Sequence, residues 1–213
     1  ITLHVYEPLV IRGRSLELLP GLAVSWKQTA PTQWTFNLRK GVKWHDGSDF
    51  TADDVVFSLE RARGKTSNYK AYANAIGIAK KVDAHTVAMT TPAPNPVMLD
   101  MLAGIMIMNR AWCVKNKAEA AQDFGAKEET YAARHANGTG AFRMTARLPD
   151  VKTTFEKNKA WWGIAAGLFD GNVETMEFST VRSDATRMTA LRSGGLDLVQ
   201  DPPSQDVAAL KRH

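Results

Sequence analysis

The sequence predicts a mixed α/β chain in two structural units, and three observations carry that reading. Apolar residues alternate with period two at Trp34, Phe36 and Leu38, the pattern of a half-buried strand. Helical spacing appears at Ala52, Val55, Val56 and Leu59, which fall at i, i+3, i+4 and i+7. After Asn137-Gly-Thr-Gly140 the chain changes style, and a strand, helix and strand follow within about 30 residues, the proportions of a βαβ unit with parallel pairing. The boundary between the units is placed near that glycine-rich turn.

Taken in order, the first strand signal breaks at Gly41, resumes at Val42 and Trp44, and turns at Asp46-Gly47. The helix that follows carries every end signal. Thr51 is an N-cap residue, and Asp54 three positions on is an acidic variant of the capping box. Phe50 and Val55 are spaced for a hydrophobic staple; Asp53 and Asp54 suit the positive end of the helix dipole, Arg61 and Arg63 the negative end. Thr86–Thr90 reads as a strand after the Asp83-Ala84-His85 turn, and TPAPNP (Thr91–Pro96) is extended because each proline biases its predecessor away from helix. Met98, Met101, Leu102 and Ile105 return to helical spacing. Lys115–His135 is polar and alanine-rich and is expected to be helical in parts, with a break near Gly125. Phe142–Met144 and Val151–Glu156 read as a hairpin through Leu148-Pro149-Asp150. Val173–Val181 reads as a strand, Ser183 as the cap of a helix bearing Met188 and Leu191, and Leu196–Val199 as another strand after Gly194-Gly195.

Composition excludes several classes. With 213 residues, 44% hydrophobic and 23% charged, the chain can bury a real core. Its most apolar run, Met98–Met108, is shorter than the roughly 20 residues a membrane span needs and is interrupted by Asp100 and Gly104. The chain opens at Ile1 rather than Met, as expected of a removed leader or of a piece of a longer chain. The net charge is +5, but the densest basic cluster is only Arg39-Lys40-Gly-Val-Lys43, so nucleic acid is not an expected partner. Cys113 stands alone, which rules out an internal disulfide and a cysteine-based zinc site.

No catalytic constellation is assembled. His45-Asp46 has dyad chemistry, but sequence neighbours on a strand point opposite ways and no nucleophile motif accompanies them. The pair reads better as turn chemistry. His4, His85, His135 and His213 are scattered without ligand spacing, so neither a metal nor a cofactor is expected. Gly138-Thr-Gly140 lacks a P-loop lysine and reads as a close backbone turn. Trp161-Trp162 is either a stacking platform or the cover of a core edge. Tyr69 and Tyr72 sit around Lys70 on a polar stretch, where tyrosines offer a ligand an apolar face and a hydroxyl.

The run LPGLAVSWKQTAPTQWTFNLRKGVKWHDGSDFTADDVVFSLERA (Leu19–Ala62) resembles the signature region of the family 5 extracellular solute-binding proteins. VYEPLV (Val5–Val10), NGTGAFRM (Asn137–Met144), KNKAWWG (Lys157–Gly163) and LRSGGLDLV (Leu191–Val199) match in family order. Members serve ABC importers of oligopeptides, dipeptides, nickel chelates and related solutes. The resemblance implies a type II periplasmic-binding-protein fold with an extra subdomain. Residues 1–16 and 137–213 would be part of the lobe-one α/β domain, and 17–136 the inserted subdomain of antiparallel strands and helices. Family chains are more than twice as long, so the second lobe is expected to be absent and the chain alone to bind solute weakly or not at all.

The resemblance implies further that Tyr69 falls where oligopeptide binders place a cleft-facing aromatic. Met106 aligns with a cleft position that is basic in nickel-type members, and its apolar character counts against a nickel chelate. Gln200 and Asp201 match a strand end that faces the cleft; Asp201 would receive a cationic group or cap the turn into Pro202-Pro203. The implied partners are a peptide or related solute and an inner-membrane ABC permease, and the implied location is periplasmic, or extracellular and lipid-anchored. Unpaired sheet edges are expected to let the chain self-associate. The alternatives are another solute (nickel chelate, opine, glutathione or oligosaccharide), a ligand-sensing domain of a regulator, and a hydrolase using His45 and Asp46.

Overall fold

A computed structural model of the chain describes residues 2–126, 129–168 and 171–210. A one-turn helix α1 (Thr2–Val5) leads into a small antiparallel pair, β1 (Val10–Arg12) and β2 (Leu18–Pro20). Strands β3 (Ala23–Ala30) and β4 (Gln33–Leu38) follow, then helices α2 (Ala52–Arg63) and α3 (Lys70–Ile76), then strands β5 (Ile78–Asp83) and β6 (Thr86–Thr90). Short helices α4 (Met98–Leu102) and α5 (Arg110–Lys115) complete this part. The sheet is antiparallel in the order β3-β4-β6-β5, with Trp34 opposite Met89 and Phe36 opposite Val87 and Trp26.

The alternation at Trp34, Phe36 and Leu38 becomes one sheet face. Phe36, Leu38, Val87 and Met89 are buried there, and Trp26 and Trp34 pack half-buried at its margin. Helix α2 lies across β5 and β6; of the predicted stripe Ala52, Val55 and Leu59 are buried, and Val56 packs half-buried against the same core. Its capping acid carries more than the cap. Asp54 Oδ2 accepts the Thr51 N–H at 2.9 Å and the Trp44 indole N–H at 3.4 Å, while Oδ1 accepts the Arg110 N–H at 2.9 Å. One buried carboxylate thus satisfies the helix start, the buried Trp44 and the entry to α5.

After a loop with one 3-10 turn at Tyr131–Ala133, the chain forms β7 (Phe142–Leu148), β8 (Lys152–Lys157), α6 (Trp162–Ala165), β9 (Thr175–Ser179), α7 (Asp184–Arg192) and α8 (Ser204–Leu210). Strands β7, β8 and β9 make a second antiparallel sheet with β8 in the middle. Its core is Val5, Phe142 and Phe155, with Met144, Met176 and Phe178 packed around them. The predicted β7–β8 turn holds, with Asp150 in the left-handed region at φ 59°. Ser183 caps α7 by accepting the Thr186 N–H at 3.3 Å.

Two expectations fail. Leu196–Val199 forms no strand, and every strand pairing among the described residues is antiparallel, so there is no βαβ crossover. The run has no strand beside it to satisfy its backbone, and Leu198 is 74% exposed. Among the described residues of Lys115–His135, the last residue of α5 and the 3-10 turn alone are helical. The Ala118 and Ala120 carbonyls accept from the Arg61 guanidinium at 3.1 Å each, and the Ala121 carbonyl from Thr66 Oγ1 at 2.7 Å. Those acceptors serve α2 and the turn after it instead of a local helix.

Candidate functional site

Tyr69 and Tyr72 form an exposed aromatic face. Tyr69 stands at the N-terminus of α3, its carbonyl accepting the Ala73 N–H at 2.9 Å, and Tyr72 lies on the first turn. Their rings meet edge-to-face with centroids 6.2 Å apart and remain 48% and 45% exposed. Gly104 faces Tyr72: a Cβ there would lie 3.5 Å from Tyr72 Cε2, at ordinary van der Waals distance. From the far end of α3, the Ala75 carbonyl accepts from Asn95 Nδ2 at 3.1 Å, which ties the helix to the extended TPAPNP run. Two residues beyond Gly104, Met106 is half-buried and bridges to Pro8. Tyr69 and Tyr72 thus touch each other, and Met106 lies beside Pro8, two residues beyond Gly104.

Gln200 and Asp201 lie elsewhere in the fold. Both are exposed in the irregular segment between α7 and α8, with Asp201 in the left-handed region at φ 52°. They follow the three-stranded sheet, whereas the tyrosines lie on α3, which packs against α2 and α4, and Met106 lies beside Pro8. Among the described residues no group of three or more His, Cys, Asp and Glu side chains converges as a metal site would require.

The histidine–aspartate pair has a different employment from the dyad it resembles. His45 Nδ1 accepts the Gly138 N–H at 3.3 Å, which leaves the proton on Nε2 to donate to the Gly140 carbonyl at 3.0 Å. Burial holds its pKa down at about 4, so the ring is neutral with both nitrogens occupied. Asp46 Oδ2 accepts from Asn137 Nδ2 at 2.8 Å, and the Asp46 N–H donates to Asn137 Oδ1 at 3.1 Å. The turn reading of Asp46-Gly47 holds as well: Gly47 takes φ 87° and Asp46 Oδ1 accepts the Ser48 N–H at 3.0 Å.

A residue that sequence reasoning passed over sits beside this pair. Glu7 is buried, and its carboxylate accepts from Trp161 Nε1 at 3.0 Å, Trp162 Nε1 at 2.8 Å and Thr139 Oγ1 at 2.7 Å. Burial raises its pKa against the pull of those three donors and of Arg39. The Arg39 guanidinium covers the Trp162 ring 3.9 Å from its centroid. Trp161-Trp162 is therefore a clamp on a carboxylate, with Trp162 also packed against the larger core. A signal for it existed: Glu7 is the one acid in the apolar run VYEPLV.

A cleft of about 780 Å³ opens apart from the predicted residues, between α1, β7 and the 122–136 loop, with Tyr6, Arg61, Phe124, Arg134 and Arg147 among its walls.

Comparison with known proteins bears on all of this. Residues 17–213 match the family described as bacterial extracellular solute-binding proteins, family 5 middle. The dipeptide-binding protein of Escherichia coli (strain K12) is 29% identical over 217 residues, covering 92% of this chain and 38% of the relative. The periplasmic oligopeptide-binding protein OppA of the same strain is 24% identical over 220 residues, with 94% and 38% covered. The structure of AgaA from A. tumefaciens R10, in complex with agropinic acid, superposes with a TM-score of 0.83 at 26% identity, covering 100% of this chain and 41% of that one. The fold matches DppA from Helicobacter pylori, solved with the peptide STSA, at a TM-score of 0.81 and 24% identity, over 99% and 43% of the two chains. This chain thus spans about two fifths of the length of these relatives.

Proposed function

The chain belongs to the family 5 bacterial extracellular solute-binding proteins, and from that premise we propose that it captures small peptides for an ABC importer in the periplasm. The observation that carries this reading is the family match over residues 17–213, joined by relatives named for dipeptides and oligopeptides. Binding of this kind needs a shaped apolar face and a few polar groups, with no bond-breaking machinery. In this reading the Tyr69–Tyr72 face supplies apolar contact and two hydroxyls for a peptide backbone, and Met106 a further apolar contact. Gln200 and Asp201 add polar contacts, Asp201 for a peptide's amino terminus. The permease partner and the periplasmic location follow from the same family.

The match to the dipeptide-binding relative spans 38% of that protein's length, and measured by itself the stretch 1–213 is expected to bind peptides weakly. Native mass spectrometry with a mixture of di- to pentapeptides tests this. Peptide adducts with dissociation constants of about 100 µM or weaker are expected, where the binding free energy is about −5.5 kcal/mol or smaller in magnitude. No adduct with any peptide at about 10 mM, near −2.7 kcal/mol, contradicts the proposal.

A second reading is an acidic, non-peptide solute of the opine kind, favoured by the likeness to AgaA with agropinic acid at a TM-score of 0.83. Adding agropinic acid to the same mixture discriminates: preferential adducts with it select the opine reading over the peptide one.

A further inference from the structure

Four stretches that carry the family resemblance, far apart in sequence, meet at one knot. Each residue of Asn137–Gly140 is bound there. Asn137 pairs with Asp46 through two hydrogen bonds. The Gly138 carbonyl accepts the His45 N–H at 2.8 Å and its N–H meets His45 Nδ1. Thr139 donates to Glu7, which also holds Trp161 and Trp162. The Gly140 N–H donates to the Val5 carbonyl at 2.9 Å, and its own carbonyl accepts from both His45 Nε2 and Asn158 Nδ2 at 3.0 Å. Only glycine fits at 138, where a Cβ would stand 1.8 Å from the Val5 carbonyl oxygen.

This loop is the link between the two sheets. A segment meant to bend would keep its backbone groups on water and its side chains free. Here those groups are bound to three other stretches of chain. The smaller sheet also needs the link, because among the described residues three form its buried apolar core and one of them, Val5, comes from the same knot.

We infer that Asn137–Gly140 is a weld rather than a hinge, and that Asp46, His45, Asn137 and Glu7 are positioning residues. They fix the three-stranded sheet, and the chain continuing from it towards Gln200 and Asp201, relative to the Tyr69–Tyr72 face. The coupling stands on these contacts alone; its consequence for the site rests on the solute-binding reading above. It places any solute-driven bending outside this loop.

The paired amide and carboxylate allow a swap test by hydrogen exchange. Asn137→Asp sets two carboxylates against each other and removes the donor to Asp46. Combining it with Asp46→Asn restores a donor facing an acceptor, while the new amide's oxygen still accepts the Ser48 N–H. In N137D, amides of β7–β9 are expected to exchange at least about tenfold faster while those of β4 and β6 stay within about twofold, as for loss of one local unit. The double variant is expected to return β7–β9 to within about threefold of the unaltered protein. Unchanged exchange in N137D overturns the weld, and so does any loss, local or global, that the double variant fails to restore. Exchange is read without solute, so failure here contradicts the weld and leaves the peptide proposal standing.

Discussion

The two sheets of this protein are stabilised in different ways. Among the described residues, the core around the four-stranded sheet holds 22 buried residues, including Trp44, Phe36 and Phe50, and a helix is laid across the sheet. The three-stranded sheet has three, and the helices after it contribute little more than Met188. The first unit is held mainly by apolar burial, which is non-directional and proportional to area. The second depends on directed hydrogen bonds at its junction, through Glu7, His45, Asp46 and Asn137. The lesson is that motifs with catalytic-looking chemistry, such as histidine beside aspartate, can serve to join a small unit to a large one.

Four substitutions or conditions break or sharpen that contrast. The largest effect is expected from Phe36→Ala, deep in the larger core, at about 3–5 kcal/mol. Calorimetry should show the whole chain losing stability in one transition, because the smaller sheet does not outlive its support.

Next comes pH, acting on the junction. His45 has a pKa of about 4 in the fold against 6.5 free, so over that window the unfolded chain binds the extra proton. Its contribution is present above pH 6.5 and is lost as pH falls towards 4, by about 3 kcal/mol in all. Glu7 and Asp54 act with opposite sign, because burial raises both and folding then takes up protons as pH falls. Urea unfolding of the wild type and of His45→Gln isolates the histidine: the gap between them should shrink as pH drops from 6.5 to 4.

A smaller loss, about 1–3 kcal/mol, is expected from Glu7→Gln. The amide offers one acceptor where two indoles and a hydroxyl each need one. Tryptophan fluorescence should report Trp161 and Trp162 released towards water, with the four-stranded sheet intact by hydrogen exchange. The smallest effect on stability, within about 0.5 kcal/mol, is expected from Tyr69→Ala, an exposed side chain away from both cores. Its effect on peptide adducts in native mass spectrometry should be the largest of the four relative to the stability lost.

Much of the larger unit was legible in sequence because its signals are local. The cap at Thr51–Asp54, the stripe on α2 and the alternation on β4 each lie within one element, and all three formed. What was hidden is non-local. The second acceptor role of Asp54 depends on Trp44 and Arg110, and the roles of His45 and Glu7 on residues about 90 to 155 positions away. The parallel crossover expected after β9 failed for the same reason: a strand is defined by its neighbour, and Leu196–Val199 has none among the described residues. Of the candidate residues, Tyr69 and Tyr72 meet edge-to-face, a pairing their three-residue spacing on α3 allows, while Met106 lies beside Pro8.

A binding face at the tyrosines and a scaffold at the tryptophans respond differently to solute, and NMR reads both at once. Titrating a tripeptide mixture into the protein should shift the ring resonances of Tyr69 and Tyr72 while the indole N–H signals of Trp161 and Trp162, held on Glu7, stay where they are. Indole shifts with unmoved tyrosine rings would contradict the account.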